Sequence, residues 1–584
     1  MTCRHFSHIA FAFAFAALVL VSPAQALQVK AIEFSGLNEL QILNVRSELS
    51  LAQTQLDPSA VISENRLDYL MRLAPREVRL GLEAFGYYDA QVESKVVRDG
   101  ENVNIYFTIV PGQPVEVRKL ALSVSGAADS DPVIKAEVAA FEPTQGDVFH
   151  HGYYETSKIN ISRALNERGY FEANLNTHRV EVTRAEHAAD IALDWTSGQR
   201  FRFGEARFEG HQFTDELLEK LVPWEPGQAF DQSELFSLQK TLADLDYFGA
   251  INVQPLADEA KDGVVPIQIS LTPAKRSIYS FGLRYGTDSG AGIASSLERR
   301  WVNRKGHKLF VELNVAQEKS DFTAQYRVPA FSKIEGWYGL RTSLREDRIN
   351  DIDTQYTELA LSRNGRWHNW NLQGALEYKR ERYDDVLLGT RSFSTIVAPV
   401  LTAEWKRFDD INSPRKGYRF FLEARAGSQA IGSDIDFVQL RAEARYIRGL
   451  GVNNRILLRG ELGTTVTDDF ALLPPSQRFY AGGDRSVRGY GYRELGQSVG
   501  SVVFGGKNLA IASAEFEHMF NATWGGAVFV DAGDAYDDQF DAKVGAGLGV
   551  RWRSPVGPIR VDIARGLNEP DQNFRLHISL GPDL

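Results

Sequence analysis

The pattern of apolar and polar positions changes character near residue 275. Downstream of it, alternation runs through segment after segment. Leu309, Val311, Leu313 and Val315 share one side of an extended chain, with Lys308, Glu312 and Asn314 on the other. Leu372, Gly374, Leu376 and Tyr378 oppose Gln373, Glu377 and Lys379. Val438, Leu440, Ala442, Ala444 and Tyr446 oppose Gln439, Arg441, Glu443 and Arg445. A period of two marks β-strands with two different environments. The polar side carries charges of both signs in every strand, which suits a wet lumen, and the apolar side suits lipid. Residues 276–584 are therefore expected to form a transmembrane β-barrel rather than a soluble barrel or propeller. At about 19 residues per strand and turn, this length accommodates about 16 antiparallel strands, from near Ile278 to residues 574–580. An even count returns both ends of the barrel to the same side of the membrane.

Upstream, one pattern occurs three times. Each copy opens on an alternating strand that ends in glycine: residues 29–36, 117–126 and 201–210. Helix-like segments follow, the second running into an aromatic turn. These turns are Gly86-Tyr87-Tyr88-Asp89-Ala90, Gly169-Tyr170-Phe171-Glu172-Ala173 and Asp246-Tyr247-Phe248-Gly249-Ala250. A closing strand comes last, at 103–110, 190–196 and 264–272. A nearly constant spacing with a shared signature means tandem copies of one supersecondary unit. The order β-α-α-β-β gives a small sheet covered by two helices, an α+β module. The expected organisation is a leader at 1–26, modules at 27–112, 113–198 and 199–275, and the barrel at 276–584. The glycine of each turn reads as a positive-φ stop after the helix, and the aromatic residue as packing beneath the sheet.

Composition narrows the classes. Arg4, an apolar run over 9–21 and Ala24-Gln25-Ala26 read as a secretory signal with its cleavage site. The thirteen-residue run is short for a membrane-spanning helix, which needs about 20 residues. Cys3, the only cysteine, lies in that leader, so neither a disulfide nor a thiolate metal site is expected in the mature chain. The formal charge of −11 argues against nucleic acid as a partner. Seven of the nine tryptophans (Trp301, Trp337, Trp367, Trp370, Trp405, Trp524 and Trp552) fall in the barrel half, where interfacial girdles need them. His150-His151 has no third ligand at suitable spacing, so no metal site is expected there. The chain lacks a P-loop, a G-x-S-x-G and an H-E-x-x-H pattern, and it reads as a non-enzyme without a cofactor. Gly545-Ala546-Gly547-Leu548-Gly549 sits inside an alternating segment and reads as small residues packing in a strand.

One loop is not generic. Arg478-Phe479-Tyr480-Ala481-Gly482-Gly483-Asp484-Arg485-Ser486-Val487-Arg488-Gly489-Tyr490-Gly491-Tyr492 lies between the eleventh and twelfth expected strands. Phe529, Asp531 and Gly533 share a face, so Asp531 can point inward while Val528 and Val530 meet lipid; Glu515 and Glu517 share a face on the preceding strand. An arginine presents a planar fork to such acids, and Gly489 permits close backbone approach.

Here the chain resembles the superfamily of BamA, TamA and the two-partner secretion transporters. Val487-Arg488-Gly489-Tyr490 is similar to its V/I-R-G-F/Y loop motif, Phe529-Val530-Asp531-Ala532-Gly533 to its F-x-D-x-G wall motif, and Glu515 to its twelfth-strand acid. Ser554-Pro555-Val556-Gly557-Pro558 resembles its S/T-P-x-G-P turn. The resemblance implies that the loop folds into the lumen and that Arg488 contacts the acids of the wall. It implies that the repeats are POTRA modules, and three of them point to the TamA branch. It also implies an outer membrane of a Gram-negative bacterium, periplasmic modules, unfolded outer-membrane protein clients such as autotransporters, the lipid bilayer as working medium, and a TamB-like partner anchored in the inner membrane. A two-partner-type channel exporting one dedicated exoprotein is the nearest rival, and a passive pore is a further one. The working seam is expected between the first and last strands, with Tyr279 and Phe281 against Ile578, Leu580 and Gly581. Gly581-Pro582 would end the pairing early, since proline cannot donate to the ladder.

Overall fold

A computed structural model describes residues 27–55, 61–331, 336–349, 352–385, 389–410, 413–500, 502–554, 557–568 and 573–580. The leader, the middle of the 554–558 turn and Gly581 lie outside them. Among the described residues no helix is long and apolar enough to cross a membrane. The chain divides into two compact units. The first holds modules one and two and part of the third; the second holds the rest of module three and the barrel.

Each module is built as the repeat predicts. In the first, the opening strand Gln28–Ser35 pairs in parallel with the closing strand Asn102–Val110, which pairs antiparallel with Gln91–Asp99. The central strand is the closing one, and its alternate residues Val103, Ile105, Phe107 and Ile109 are buried. Against them lies helix Glu64–Glu83, whose Leu67, Leu70, Ala74, Val78 and Leu82 recur every three or four residues and form one apolar stripe. The shorter helix Glu39–Glu48 starts on a capping box: Asn38 accepts from the Gln41 amide, and Gln41 accepts from the Asn38 amide. The second module repeats the order with strands Glu116–Ser125, Asn174–Thr183 and Ala188–Thr196. The third does so with Arg202–Glu209, Phe248–Pro255 and Val264–Pro273.

The aromatic turns do more than pack beneath their own sheets. Gly86 and Gly169 have φ of +84° and +85°, and a Cβ at Gly169 would come 2.7 Å from Phe230 of the next module. Tyr88 is buried in the core of the second module, with its hydroxyl 2.7 Å from His151 Nε2. Tyr247 donates to the carbonyl of Gly306, in the turn between the second and third barrel strands. The tyrosines of the first and third turns therefore tie each module to the element that follows it.

The barrel is closed, with sixteen strands and antiparallel neighbours. Its outer face is apolar and exposed, as at Leu340, Leu344, Leu376, Leu401, Leu422, Leu440 and Leu462. Inward positions carry ion pairs: Arg341 reaches Glu358 at 2.7 Å and Glu377 at 3.0 Å, and Arg419 reaches Glu404 at 2.7 Å and Glu443 at 2.9 Å. Trp524 and Trp552, opposite one another on neighbouring strands, stack with centroids 5.2 Å apart. Strand length is uneven. The eighth strand, Thr390–Phe408, has 19 residues, the first, Ser277–Gly286, has 10 and the sixteenth, Arg575–Leu580, has 6.

The joint between modules one and two titrates. Burial holds His151 below the usual histidine range and pushes Tyr88 up to about 12. A histidine held low favours its neutral form in the fold, so its contribution is whole above about pH 6.5 and is lost as pH falls below that value. The protection factors of the amides at residues 86–90, which correct for the intrinsic fall of exchange with pH, should therefore drop from pH 7.5 to pH 5.5 in the full chain in detergent. His151→Gln should flatten that dependence; an equal drop in the variant would exonerate His151.

Candidate functional site: a loop lock beside a short seam

The eleventh strand, Asn454–Thr467, and the twelfth, Asn508–Met519, are joined by a long loop that enters the lumen. Val487 and Tyr490 are buried with Phe479, Ala481, Leu495, Leu509, Ile511 and Ala535, a small apolar core inside an otherwise polar interior. That core holds the backbone on either side of Arg488, so the guanidinium is delivered rather than left to search.

Arg488 meets three strands at once. Its Nε donates to Asp531 Oδ2 at 2.7 Å and its Nη2 to Asp531 Oδ1 at 3.1 Å, a bidentate pair. Its backbone N–H also donates to Asp531 Oδ2, at 3.1 Å. Nη1 reaches Glu515 Oε2 at 2.7 Å and Asp562 Oδ2 at 2.9 Å. The guanidinium carbon sits 3.4 Å from the centroid of the Phe529 ring, a cation–π contact from below. Asp531, fully buried, also accepts from Ser513, which faces it across strands twelve and thirteen. Behind this layer Arg551 of the fourteenth strand, Lys543–Ser554, bonds Glu515, Glu517 and Asp562. Arg455 of the eleventh strand bonds Glu517. Three guanidiniums thus face four carboxylates, and every charge has a partner. That balance matters because breaking one side of a buried pair costs roughly 3–5 kcal/mol.

Glycines make room for the approach. Gly489 has φ +96°, and a Cβ there would lie 2.7 Å from the Arg565 backbone. A Cβ at Gly545 would fall 1.8 Å from the Arg488 carbonyl oxygen, and one at Gly549 1.8 Å from Asp562 Oδ1. The glycine run in strand fourteen is where the loop and the acids press against the wall. Gly533 serves the wall itself: its Cβ would collide with Ala510 and Ile511 of the neighbouring strand. Val528 and Val530 face outward.

The seam departs from its expected position. Among the described residues, the first and sixteenth strands share one residue pair, Gly286↔Ser579. Beside it, the Thr287 N–H donates to the Ile578 carbonyl at 3.4 Å and the Ile578 N–H to Thr287 Oγ1 at 3.3 Å. By contrast the first strand pairs with the second, Gly290–Arg299, along all ten residues. Tyr279 and Phe281 do not oppose Ile578 or Leu580. They lie seven and five residues from the closing pair, with Tyr279 65% and Phe281 82% exposed. The reason is register: with Gly286 opposite Ser579, position 285 rather than 279 stands opposite Leu580, and a Tyr279–Leu580 cross-link has no geometric basis. A cavity of about 880 Å³ lies beside the first strand, lined by Phe281 and Leu283 together with Asp484, Tyr492 and Ser579.

Asp562, Arg551, Arg455 and His577 belong to the site without a motif to announce them. Asp562 and Arg551 fall on inward positions of alternating strands, a signal the period does carry. His577 lies on the inward face of the last strand, opposite Asp562.

Comparison with known proteins bears on the family and the fold. The profile of the Omp85 superfamily domain matches residues 303–583, that of POTRA domain TamA domain 1 matches 31–111, and a POTRA profile described as surface antigen variable number repeat matches 201–274. The chain is 22% identical to the outer membrane protein assembly factor BamA of Nitratidesulfovibrio vulgaris, over 95% of this chain and 72% of that protein. It is 22% identical to BamA of Buchnera aphidicola over 43% of this chain and 42% of that one. The crystal structure of BamA from Haemophilus ducreyi lacking POTRA domains 1-3 superposes with a TM-score of 0.69 at 16% identity, covering 80% of this chain and 99% of that one. The barrel is an Omp85 superfamily domain preceded by POTRA domains. The protein is accordingly an outer-membrane β-barrel whose POTRA domains lie in the periplasm.

Arg488→Ala should leave Asp531, Glu515 and Asp562 crowded without their shared cation. Trypsin should then cut within 478–493 at least tenfold faster in the detergent-solubilised protein, whereas Arg488→Lys, which keeps the charge but loses the fork, should fall between. Wild-type protection of the alanine variant would show that the loop stays in place without the Arg488 lock.

Proposed function

We propose that this protein assembles β-barrel proteins in the outer membrane, using the seam between its first and last strands as a lateral gate. The observation that carries the reading is that, among the described residues, one residue pair joins that seam. A weakly paired strand exposes N–H and C=O groups when its seam opens, and such an edge templates an incoming strand by β-augmentation. The first strand, Ser277–Gly286, is long enough to pair with most of a spanning strand. The chemistry asks for neither a nucleotide nor a catalytic side chain. Moving a client's apolar strand faces into lipid is downhill by about 25 cal/mol per Å² of apolar surface, and the protein has only to lower the barrier.

The finer reading places the chain in the TamA branch. It rests on the match of the first module to POTRA domain TamA domain 1. On that reading autotransporters are the principal clients, and a TamB-like, inner-membrane-anchored protein is the partner, met through the first module. The modules' own sheet edges would hold clients on the way in.

Two measurements test the proposal. Depletion of the protein followed by outer-membrane proteomics should lower several barrel proteins, autotransporters most; loss of one secreted protein with the barrel proteins unchanged would instead mean a dedicated export channel. Gly286→Cys with Ser579→Cys places two thiols on directly opposed residues. Opposed antiparallel residues have Cα atoms about 4.5–5.5 Å apart, within disulfide range. Client insertion into vesicles should stop on oxidation and return on reduction. Full activity in the oxidised state would exclude the gate.

A further inference from the structure

Asp484, Thr287 and His577 form a polar cluster that the lock does not need. Asp484 lies in the lumenal loop, Thr287 and Asp288 in the turn between strands one and two, and His577 in strand sixteen. Asp484 Oδ1 accepts from Thr287 Oγ1 at 2.6 Å and lies 2.7 Å from His577 Nδ1. The Asp484 N–H donates to Asp288 Oδ2 at 2.8 Å. The Gly489 N–H donates to His577 Nε2 at 2.9 Å. An amide nitrogen can only donate, so Nε2 accepts, Nδ1 carries the proton, and His577 donates to Asp484. With both ring nitrogens engaged, His577 has no lone pair left for a metal, although its distances to Asp288 and Asp484 resemble a ligand set.

The cluster spans the seam. One carboxylate oxygen holds a hydroxyl from beside the first strand and an imidazole from the last strand. The loop also grips the last strand through Glu494, 3.0 Å from Arg575. Among the described residues, direct strand-to-strand bonding at the seam is a single residue pair and its flanking Thr287–Ile578 contacts, both long. The Asp484 bonds are shorter, and Asp484 and His577 are both buried. They carry charge, which strengthens a hydrogen bond roughly twofold over a neutral one.

From this geometry we infer that Asp484 is the latch of the seam: the lumenal loop bonds to both the first and the last strand side and holds the two together. Loop position and seam closure are then one variable. Gly489, bonded to His577, directly follows Arg488, and Arg488 bonds Asp562, which stands opposite His577 on strand fifteen. Withdrawing the loop removes the latch and the lock together. This assignment rests on the gate reading for its purpose, but its test reads distance rather than insertion.

Nitroxide labels on Leu283→Cys and Leu576→Cys, both exposed on the outer face, report the separation of strands one and sixteen in the full chain in lipid nanodiscs. Pulsed electron resonance should give one narrow distance in the parent. Asp484→Ala, and separately Thr287→Val, should each raise the population at longer distance at least fivefold, while heat-modifiable mobility shows the barrel folded. Thr287→Val removes one hydroxyl and decides the matter if Asp484→Ala does not fold. An unchanged distribution in folded Thr287→Val, or in both variants, would overturn the latch. A widened seam in proteins that insert clients no differently from the parent would uphold the latch and count against the gate.

Discussion

A barrel in lipid has to satisfy every backbone hydrogen bond within itself, because the surrounding hydrocarbon offers no substitute. Among the described residues, long ladders meet that requirement fifteen times around the circumference, while one residue pair closes the ring at the sixteenth. The other features make sense as answers to that exception. A strand edge left open in the bilayer needs compensation from somewhere, and the compensation comes from inside: a loop that fills the lumen and bonds to both sides of the gap.

The loop itself must be held, and its anchor is electrostatic. An arginine taken out of water is costly, and so are the acids around it, yet the arrangement of Arg488, Arg551 and Arg455 with Asp531, Glu515, Asp562 and Glu517 leaves each charge bonded. Such a cluster is strong as a set and weak in parts, since loss of one member strands its neighbours. It suits a device with two states, gripped or released, better than one that yields gradually. The apolar patch around Val487 and Tyr490 positions the arginine; the carboxylates decide whether it stays.

Much of this was legible along the chain. Alternation on residues such as Leu372 to Lys379 marked the barrel, because a wall between a wet lumen and lipid imposes a period of two with charges of both signs on one face and apolar residues on the other. The spaced aromatic turns marked the modules, although the reach of Tyr88 and Tyr247 into the following element was not visible, because contacts between units leave no periodicity. Within the site, Arg488, Glu515 and Asp531 stood out through their motifs. Asp562, Arg551 and His577 did not, since their meeting depends on which residues of strands twelve to sixteen face one another. The misplaced seam has the same origin. Tyr279 and Phe281 lie on the right strand, but the slide of the last strand along the first is a property of the closed ring as a whole and cannot be read from either strand alone.

The contact at Gly545 ties together two segments more than fifty residues apart. With 1.8 Å between a would-be Cβ and the Arg488 carbonyl oxygen, the wall has no tolerance for even a methyl group at that point. The hairpin of strands fourteen and fifteen and the tip of the loop are therefore a matched set, like a key cut for one barrel. A chimaera that transplants the loop from a distant relative would have to bring the facing wall with it, and drift at either surface is bounded by the shape of the other.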